Sequence, residues 1–356
     1  MKISIIGLGL IGGSLAKAIK SFDNSLTISA YDYKETIAKA KAEGIIDYQI
    51  NSFSELTDED IIFLSLPIYQ SLDALKQIAP IVKSGCILTD VCSVKNIFFE
   101  EWDKVHSRGV FIGGHPMTGK EKSGYDNADA LLFENAVYIL CGEEKAIKAE
   151  TKLLNLLHSI GAKVRFIDAR THDEIVANVS HLPQLLAVSL VNTITNYGSK
   201  TETIEFAAGG FRDMTRIASS NFDIWESIFS VNKKNIASSI NNLIEQLEQF
   251  KSSLEVEDFL KIRELFETAR YMREAIPKQN KGFLNPVFDL FISVKDEPGV
   301  LSKLTTLMFD NNINIKDMEL LKIREGAQGT FRLSFESESA VILAKELLQK
   351  HGFIFS

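Results

Sequence analysis

The chain has 356 residues, enough for two or three domains, and 45% hydrophobic with 24% charged residues is ordinary for a globular protein. Acids outnumber bases 47 to 39, a formal net charge of −8. That balance argues against nucleic acid or an anionic membrane as the main partner, while leaving room for a small anionic substrate held by local positive charge.

The N-terminal stretch MKISIIGLGL is too short and too glycine-punctuated for a signal peptide. No run approaches the about 18 apolar residues of a membrane span. Cys86, Cys92 and Cys141 form no CxxC pair and no zinc spacing, so buried free thiols are expected and no metal centre. A soluble, cytoplasmic protein follows.

Residues 1–168 alternate β-rich runs with helical stretches. The runs are KISIIGLG, LTISAYD, IIFLSLP, CILTDVCS, VFIGGHP, NAVYILCG and KVRFID. Strands separated by helices predict an α/β domain with a parallel, doubly wound sheet, and continuous apolar runs predict that both its faces are covered. From 169 to 280 the strand runs vanish. THDEIVANVSHLPQLLAVSLVNTITN reads as one long helix with a kink at Pro183. Ile240, Leu243, Ile244, Leu247 and Phe250 follow helical spacing, as do Phe259, Ile262, Leu265, Phe266 and Ala269. Such stripes need a partner, either each other or a second subunit, and at least a dimer is expected. PKQNKGFLNP reads as a linker, and residues 287–356 read as β-α-β-β-α with a short final run, a ferredoxin-like module.

Gly7, Gly9 and Gly12 form G-x-G-x-x-G between a strand and a helix, and Asp32 follows Gly12 by twenty residues at the end of the second strand. In this Rossmann-like context Gly7 permits the tight turn, Gly9 admits the pyrophosphate and Gly12 lets helix and strand pack closely. Asp32 suits ribose hydroxyls and repels a 2′-phosphate, which favours NAD over NADP. The expected cofactor set is Gly7, Gly9, Leu10, Ile11, Gly12, Asp32, Ser65, Pro67 and Ser93.

Ser93, in TDVCSVK, falls beyond the carboxyl end of a strand, where ligands of doubly wound sheets sit. Its hydroxyl suits either the nicotinamide end of the site or a helix N-cap. His115 closes the run VFIGGH at the same rim, and histidine is the commonest general base near neutral pH. The loop behind it offers Lys120, Glu121 and Lys122. Arg212 and Arg216 are four residues apart and could share a helical face, with Asp213 between them; arginine suits bidentate carboxylate binding. His181 on the long helix is either a ligand contact or a buried, hydrogen-bonded residue. The turn DEPGVLSKL is by itself an ordinary helix start.

In chain order, GLGLIGGS, DVCSVK, GGHPMTGKEKSG, SHLPQ and GGFRDMTRIA resemble the prephenate dehydrogenase family, and VKDEPGVLSKLTTLMFDNNINI resembles an ACT domain of the amino-acid-sensing type. The resemblance covers essentially the whole chain. It implies a dinucleotide-binding domain at 1–168, a helical substrate and dimerisation domain at 169–280 and an ACT regulatory domain of βαββαβ form at 287–356. The implied activity is NAD-dependent oxidative decarboxylation of prephenate to 4-hydroxyphenylpyruvate in tyrosine biosynthesis. Arogenate is the alternative substrate.

By the same resemblance His115 takes the proton of the ring hydroxyl, Ser93 orients the histidine and the nicotinamide, and Arg216 holds a substrate carboxylate with Asp213 positioning it. His181, Gln184, Gly209, Glu121 and Lys120 border the substrate, and Trp225 matches an aromatic that reaches the neighbouring subunit's site. Two positions depart from the family. Gln184 stands where a second histidine is common, and Lys120 where threonine or serine is common. The implied effector is tyrosine, bound between ACT modules near Asp296, Pro298, Gly299, Val300, Leu301 and Asn312. Two other readings compete: a β-hydroxyacid or 6-phosphogluconate dehydrogenase, which would use a catalytic lysine, and a non-catalytic sensor of NAD and an amino acid, in which the rim of Ser93, His115 and Arg216 would have decayed.

Overall fold

The computed structural model describes residues 1–120, 122–195, 205–275, 287–295, 297–322 and 328–355. They divide into two compact units, Met1–Arg273 and Glu274–Ser356.

The first unit is built on one sheet of eight strands: β1 (Lys2–Ile6), β2 (Thr27–Tyr31), β3 (Tyr48–Gln49), β4 (Ile61–Leu64), β5 (Ile87–Asp90), β6 (Val110–Pro116), β7 (Val137–Cys141) and β8 (Lys163–Ile167). Their order is β3-β2-β1-β4-β5-β6-β7-β8. Along β4, Ile61 and Phe63 enter one apolar cluster and Ile62 and Leu64 the other, so the sheet is buried on both faces. Helices α1 (Leu10–Phe22), α2 (Lys34–Ala42), α3 (Ile68–Ile78), α4 (Asn96–Trp102), α5 (Glu144–Ala149) and α6 (Thr151–Ser159) connect the strands.

The sheet departs from the expected all-parallel arrangement. Strands β1 to β6 are parallel, but β7 runs antiparallel to β6, and β8 is parallel to β7. The link from β6 to β7 carries only a short 3-10 turn, Tyr125–Asn127, among its described residues. A parallel return needs a crossover, usually helical, so without one β7 comes back antiparallel.

The rest of the first unit is helical: α7 (Ala169–Val176), α8 (Leu182–Thr195), α9 (Gly209–Thr215), α10 (Phe222–Val231), α11 (Lys233–Glu255) and α12 (Phe259–Ala275). A π-helical turn, Ala177–His181, joins α7 to α8, and Leu182 N–H donates to Ala177 C=O. The expected irregularity at Pro183 takes this form because Pro183 has no N–H to give and its ring crowds the carbonyl four residues back; a widened turn accommodates both. The run Ala169–Ile194 is long and apolar enough to cross a membrane by length and composition, contrary to the expectation from sequence. It nevertheless carries buried His172, Asp173, His181 and Gln184. Their partners are elsewhere in the unit. That is the placement of a helix packed against protein rather than lipid.

Phe250 and Phe266 join α11 to α12, ring centroids 6.2 Å apart. Even so, Ile244, Leu247, Leu254, Phe259, Leu260 and Phe266 stay exposed, an apolar surface that asks for a partner.

In the second unit β9 (Phe288–Lys295), α13 (Val300–Asp310), β10 (Asp317–Lys322), β11 (Gln328–Phe335), α14 (Glu338–Lys350) and β12 (Ile354–Phe355) form the βαββαβ module. The sheet order is β10-β11-β9-β12, antiparallel throughout. Its core is Leu290, Ile292, Val294, Leu304, Met308, Leu333, Phe335, Ala344 and Leu348. The linker expected at 277–286 lies outside the described residues.

Candidate active site

The glycine turn leaves β1. Gly7 adopts φ +100°, and a Cβ there would lie 2.5 Å from Ser65 O. A Cβ on Gly12 would lie 1.9 Å from Gly7 O, so only glycine lets α1 start this close to the turn. A Cβ on Gly9 meets nothing within 4 Å, which leaves the space above the turn open. Gly9 caps α1 without a side-chain hydrogen bond, so the first N–H groups of a 13-residue helix face that space, as a pyrophosphate requires. Leu10 and Ile11 form the first turn of α1 and are half-buried. Asp32, just past β2, accepts from Leu8 N at 2.6 Å and Tyr33 N at 2.6 Å. A carboxylate so held keeps lone pairs for ribose hydroxyls. Ser65 and Pro67 follow β4 at the same edge, Pro67 preceding α3. These residues fit a dinucleotide.

Next along the edge is the segment after β5. Lys95 is fully buried and forms an ion pair with buried Asp90. Its ammonium also donates to Gly114 O at 2.6 Å. Asp90 in turn accepts from Cys92 N at 3.0 Å and Gly114 N at 3.1 Å. Burial raises the Asp90 carboxyl against the pull of Lys95. The two glycines of GGHP now have a reason. A Cβ on Gly113 would press on the Lys95 side chain at 3.1 Å, and one on Gly114 would lie 2.3 Å from Asp90 O. The ion pair thus occupies the floor beneath the end of β6, directly before His115. Ser93 is half-buried in the same segment. The N-cap of α4 is Lys95, not Ser93. Its first N–H groups are taken instead by Asp173, whose carboxylate accepts from Lys95 N at 2.7 Å and Asn96 N at 2.9 Å.

His115, next to last in β6, has its Nδ1 2.8 Å from Nε2 of His172, and His172 Nδ1 lies 2.8 Å from Asp173 Oδ1. Burial, with His172, Lys95 and His181 nearby, holds the His115 imidazole well below its usual range. Asn232 Nδ2 donates to Asp173 O at 2.8 Å and sits 3.3 Å from His181 Nδ1. Burial pushes His181 down to about 4, against the attraction of Asp173, and its buried Nε2 has no hydrogen-bond partner among the described residues. A buried polar nitrogen left unmatched is what a site awaiting a ligand presents.

Around these groups, Gln184 is buried and donates from Nε2 to Ile217 O at 3.0 Å. Trp225 packs edge-on against His181 of its own chain, ring centroids 6.1 Å apart. Arg216 is exposed and opens a 3-10 turn where α9 stops at Thr215, so it does not continue the helical face of Arg212. Asp213 and Gly209 are exposed on α9, and a Cβ on Gly209 would meet open space. Lys120 pairs with Asp129 at 2.9 Å, on a loop tied down by Asp129 N to Ser14 Oγ and Lys39 to Asp126. Its charge is engaged there by Asp129, with both side chains partly exposed. Glu121 lies outside the described residues.

Sequence reasoning missed His172, Asp173, Lys95 and Asn232. Lys95 stood within a quoted motif, and His172–Asp173 opened the long helix; nothing in their spacing announced contact with residues 57 and 78 positions away. The thiols of Cys86, Cys92 and Cys141 are buried and free, as expected, each raised to about 12 chiefly by burial.

In the second unit, Gly299 starts α13 at φ +89° between exposed Pro298 and half-buried Val300, with Leu301 exposed. Asn312, at φ +53°, follows the other end of α13. Eleven residues span about 16 Å, so one small ligand cannot touch both groups within one module. A groove of about 510 Å³ beside Phe288, Asp289 and Val341 includes none of them. Asp296 lies outside the described residues.

Comparison with known proteins agrees along the chain. Residues 15–166 match the family described as prephenate dehydrogenase, nucleotide-binding domain, residues 168–268 match prephenate dehydrogenase, dimerization domain, and residues 288–350 match the ACT domain. The chain is 37% identical to a prephenate dehydrogenase of Lactococcus lactis over 98% of each chain. It is 35% identical to that of Bacillus subtilis over 94% of this chain and 92% of the relative. The solved prephenate dehydrogenase of Aquifex aeolicus, in complex with hydroxyphenyl propionate and NAD+, is 30% identical with a TM-score of 0.70, over 78% of this chain and 98% of that one. The Synechocystis arogenate dehydrogenase is 28% identical, also with a TM-score of 0.70, over 77% and 99%. With a glycine turn built for a dinucleotide, a histidine rim beside it and these matches over nearly its full length, the chain belongs to the prephenate dehydrogenase family.

Proposed function

We propose that the protein oxidatively decarboxylates prephenate to 4-hydroxyphenylpyruvate in the cytoplasm, as a homodimer, with NAD+ as the oxidant. The glycine turn and Asp32 would hold NAD+, and when bound it would supply the hydride acceptor for the ring carbon that bears the hydroxyl. His115 takes the hydroxyl proton as the carbonyl forms. The ring carboxylate leaves as carbon dioxide, its bonding electrons complete the aromatic ring and pass the carbonyl pair back to oxygen, and that oxygen regains a proton as the phenol. Arg216 and Asp213 belong to the carboxylate side, His181, Gln184, Gly209, Glu121, Lys120 and Trp225 to the substrate border, and Ser93 to the junction of His115 and the nicotinamide. The chain is organised as 1–168 for the cofactor, 169–280 for substrate and dimerisation, and 287–356 for regulation.

The observation that carries this reading is the state of His115. It sits at the end of β6, on the sheet edge of the glycine turn, with Nδ1 engaged by His172. Burial first, and then the nearby His172, Lys95 and His181, keep it neutral near pH 7, the state a base requires. The exposed apolar stripes of α11 and α12 supply the surface for a second subunit. Tyrosine fits as effector at an interface of two second units, because only a second copy could bring the Gly299 turn to the Asn312 end of α13.

The test is NADH formation with prephenate and with arogenate, each with and without tyrosine, by the full chain and by His115→Asn. Turnover of prephenate, suppressed by tyrosine and lost in His115→Asn with NAD+ binding retained, is expected. Full activity of His115→Asn sinks the base assignment. Turnover of arogenate alone moves the substrate, with Gln184 the first position to exchange.

A further inference from the structure

We propose that His172 and Asp173 are positioning residues that fix the tautomer of His115, so that His115 presents a bare Nε2 to the substrate proton. The proposal rests on the reading of His115 as the base.

The argument begins at the far end of the chain of contacts. Asp173 is buried, and its two oxygens accept backbone N–H groups from Lys95 and Asn96 at the start of α4, at 2.7 and 2.9 Å. Both oxygens already act as acceptors, and a carboxylate accepts rather than donates. The contact at 2.8 Å between Asp173 Oδ1 and His172 Nδ1 therefore has the imidazole as donor. His172 is itself buried. As a neutral ring with a proton on Nδ1, its Nε2 can only accept. The contact at 2.8 Å between that Nε2 and His115 Nδ1 then has His115 as donor. A neutral His115 with its proton on Nδ1 has its lone pair on Nε2. Acceptor, donor–acceptor and donor are thus set in turn by two main-chain N–H groups of α4.

The same order serves after proton transfer. The imidazolium formed at His115 keeps its Nδ1–H bond to His172, with the Asp173 carboxylate behind it to offset the new positive charge. Among the described residues, the other charged or titratable groups around His115 are Lys95, neutralised by Asp90 below the strand, and His181 from the π-helical turn. Asp173 is the anion on the helical side of this cluster. Local sequence explains its placing. Asp168 caps α7 by accepting from Thr171 N at 2.9 Å, which starts the helix so that His172 and Asp173 both fall on its buried side.

The alternative is that Asp173 only caps α4 and His172 only fills space. Three variants of the full chain separate the two, measured by steady-state kinetics with prephenate and NAD+ over pH, after thermal unfolding has shown each to be folded. Asp173→Asn removes the anion behind the two histidines and replaces one of the two acceptor oxygens with an amide donor; with that donor at the Oδ1 position, which Lys95 N–H and His172 share, the chain reverses and the His115 proton moves to Nε2. His172→Leu removes the acceptor. His172→Gln restores one, because its amide oxygen stands near the position of Nε2. We expect kcat to fall about 10²–10⁴-fold in Asp173→Asn and His172→Leu, the range of a general base. KM should change less than about threefold, and His172→Gln should recover most of the loss. The acid limb of the pH profile should move in Asp173→Asn.

If His172→Leu does not fold, Asp173→Asn against His172→Gln carries the same comparison. Wild-type kcat and an unmoved acid limb in Asp173→Asn overturn the proposal, as does equal damage in His172→Gln and His172→Leu. His115→Asn is run in parallel. If it is active, the base assignment falls and the proposal with it. If it is inactive while the other variants behave as wild type, the proposal alone falls.

Discussion

Lys95 and Asp90 form an ion pair in which neither side chain reaches solvent. Lys95 also holds the carbonyl of Gly114, one residue before His115. The pair braces the strand end that delivers the histidine, and it accounts for the glycines that precede it.

A buried pair is costly to break because the remaining charge has no water to turn to. Lys95→Met should lower unfolding stability by about 3–5 kcal/mol. Replacing both, as Lys95→Met with Asp90→Leu, should recover much of the loss. Urea unfolding of the three proteins measures this, and a Lys95→Met variant as stable as the parent would refute a structural role for the pair.

Glycines 9 and 12 should fail differently when changed to alanine. The Cβ of Gly9→Ala enters open space, so the thermal midpoint should hold while NAD+ affinity drops by about tenfold or more, because the methyl would fill the space through which the backbone approaches a pyrophosphate, and a lost contact of about 1.4 kcal/mol is a factor of ten. The Cβ of Gly12→Ala meets Gly7 O at 1.9 Å, so both stability and binding should fall. Calorimetric unfolding and NAD+ titration on each variant distinguish the two outcomes.

The acid limb of kcat/KM should lie below the ordinary histidine value of about 6.5. His115 is held well below that value by burial and by His172, Lys95 and His181. Activity is therefore full at pH 7 and is lost only as the pH falls through the lowered value. A limb at or above 6.5 would mean that another group limits the rate.

His181 makes a separate prediction about folding. Its pKa in the folded chain is about 4, and in the unfolded chain about 6.5. Between these values the unfolded chain binds a proton that the folded chain does not. Stability is therefore greatest above about 6.5 and declines as the pH falls toward 4. His181→Gln removes this titration, so its urea midpoint should drop less between pH 7 and pH 5 than that of the parent. Equal drops would show that His181 does not contribute.

Much of the molecule was legible without coordinates because the signals were local. Continuous apolar runs marked strands buried on both faces, glycine spacing marked the turn after β1, and 3.6-residue stripes marked α11 and α12. Each depends on neighbours a few residues away. Pro183 announced an irregular turn for the same reason, though its π-helical form depended on the packing around it. The direction of β7 was not legible, since apolar strands read alike whichever way they run and only the missing crossover helix decides.

The candidate site divides along the same line. His115, Ser93 and Asp32 stood out because each lies at or just past the carboxyl end of a strand, and strand ends define the edge of the sheet. What surrounds His115 came only from the tertiary structure. His172 and Asp173 lie 57 and 58 residues further along, and Lys95 lies on a different strand's exit. No periodicity links them. They meet because α7 packs against the start of α4, where two unpaired backbone N–H groups draw in a carboxylate. The sequence by itself determined which residues could do the chemistry. The packing of two helix ends decided which ring nitrogen of His115 is engaged.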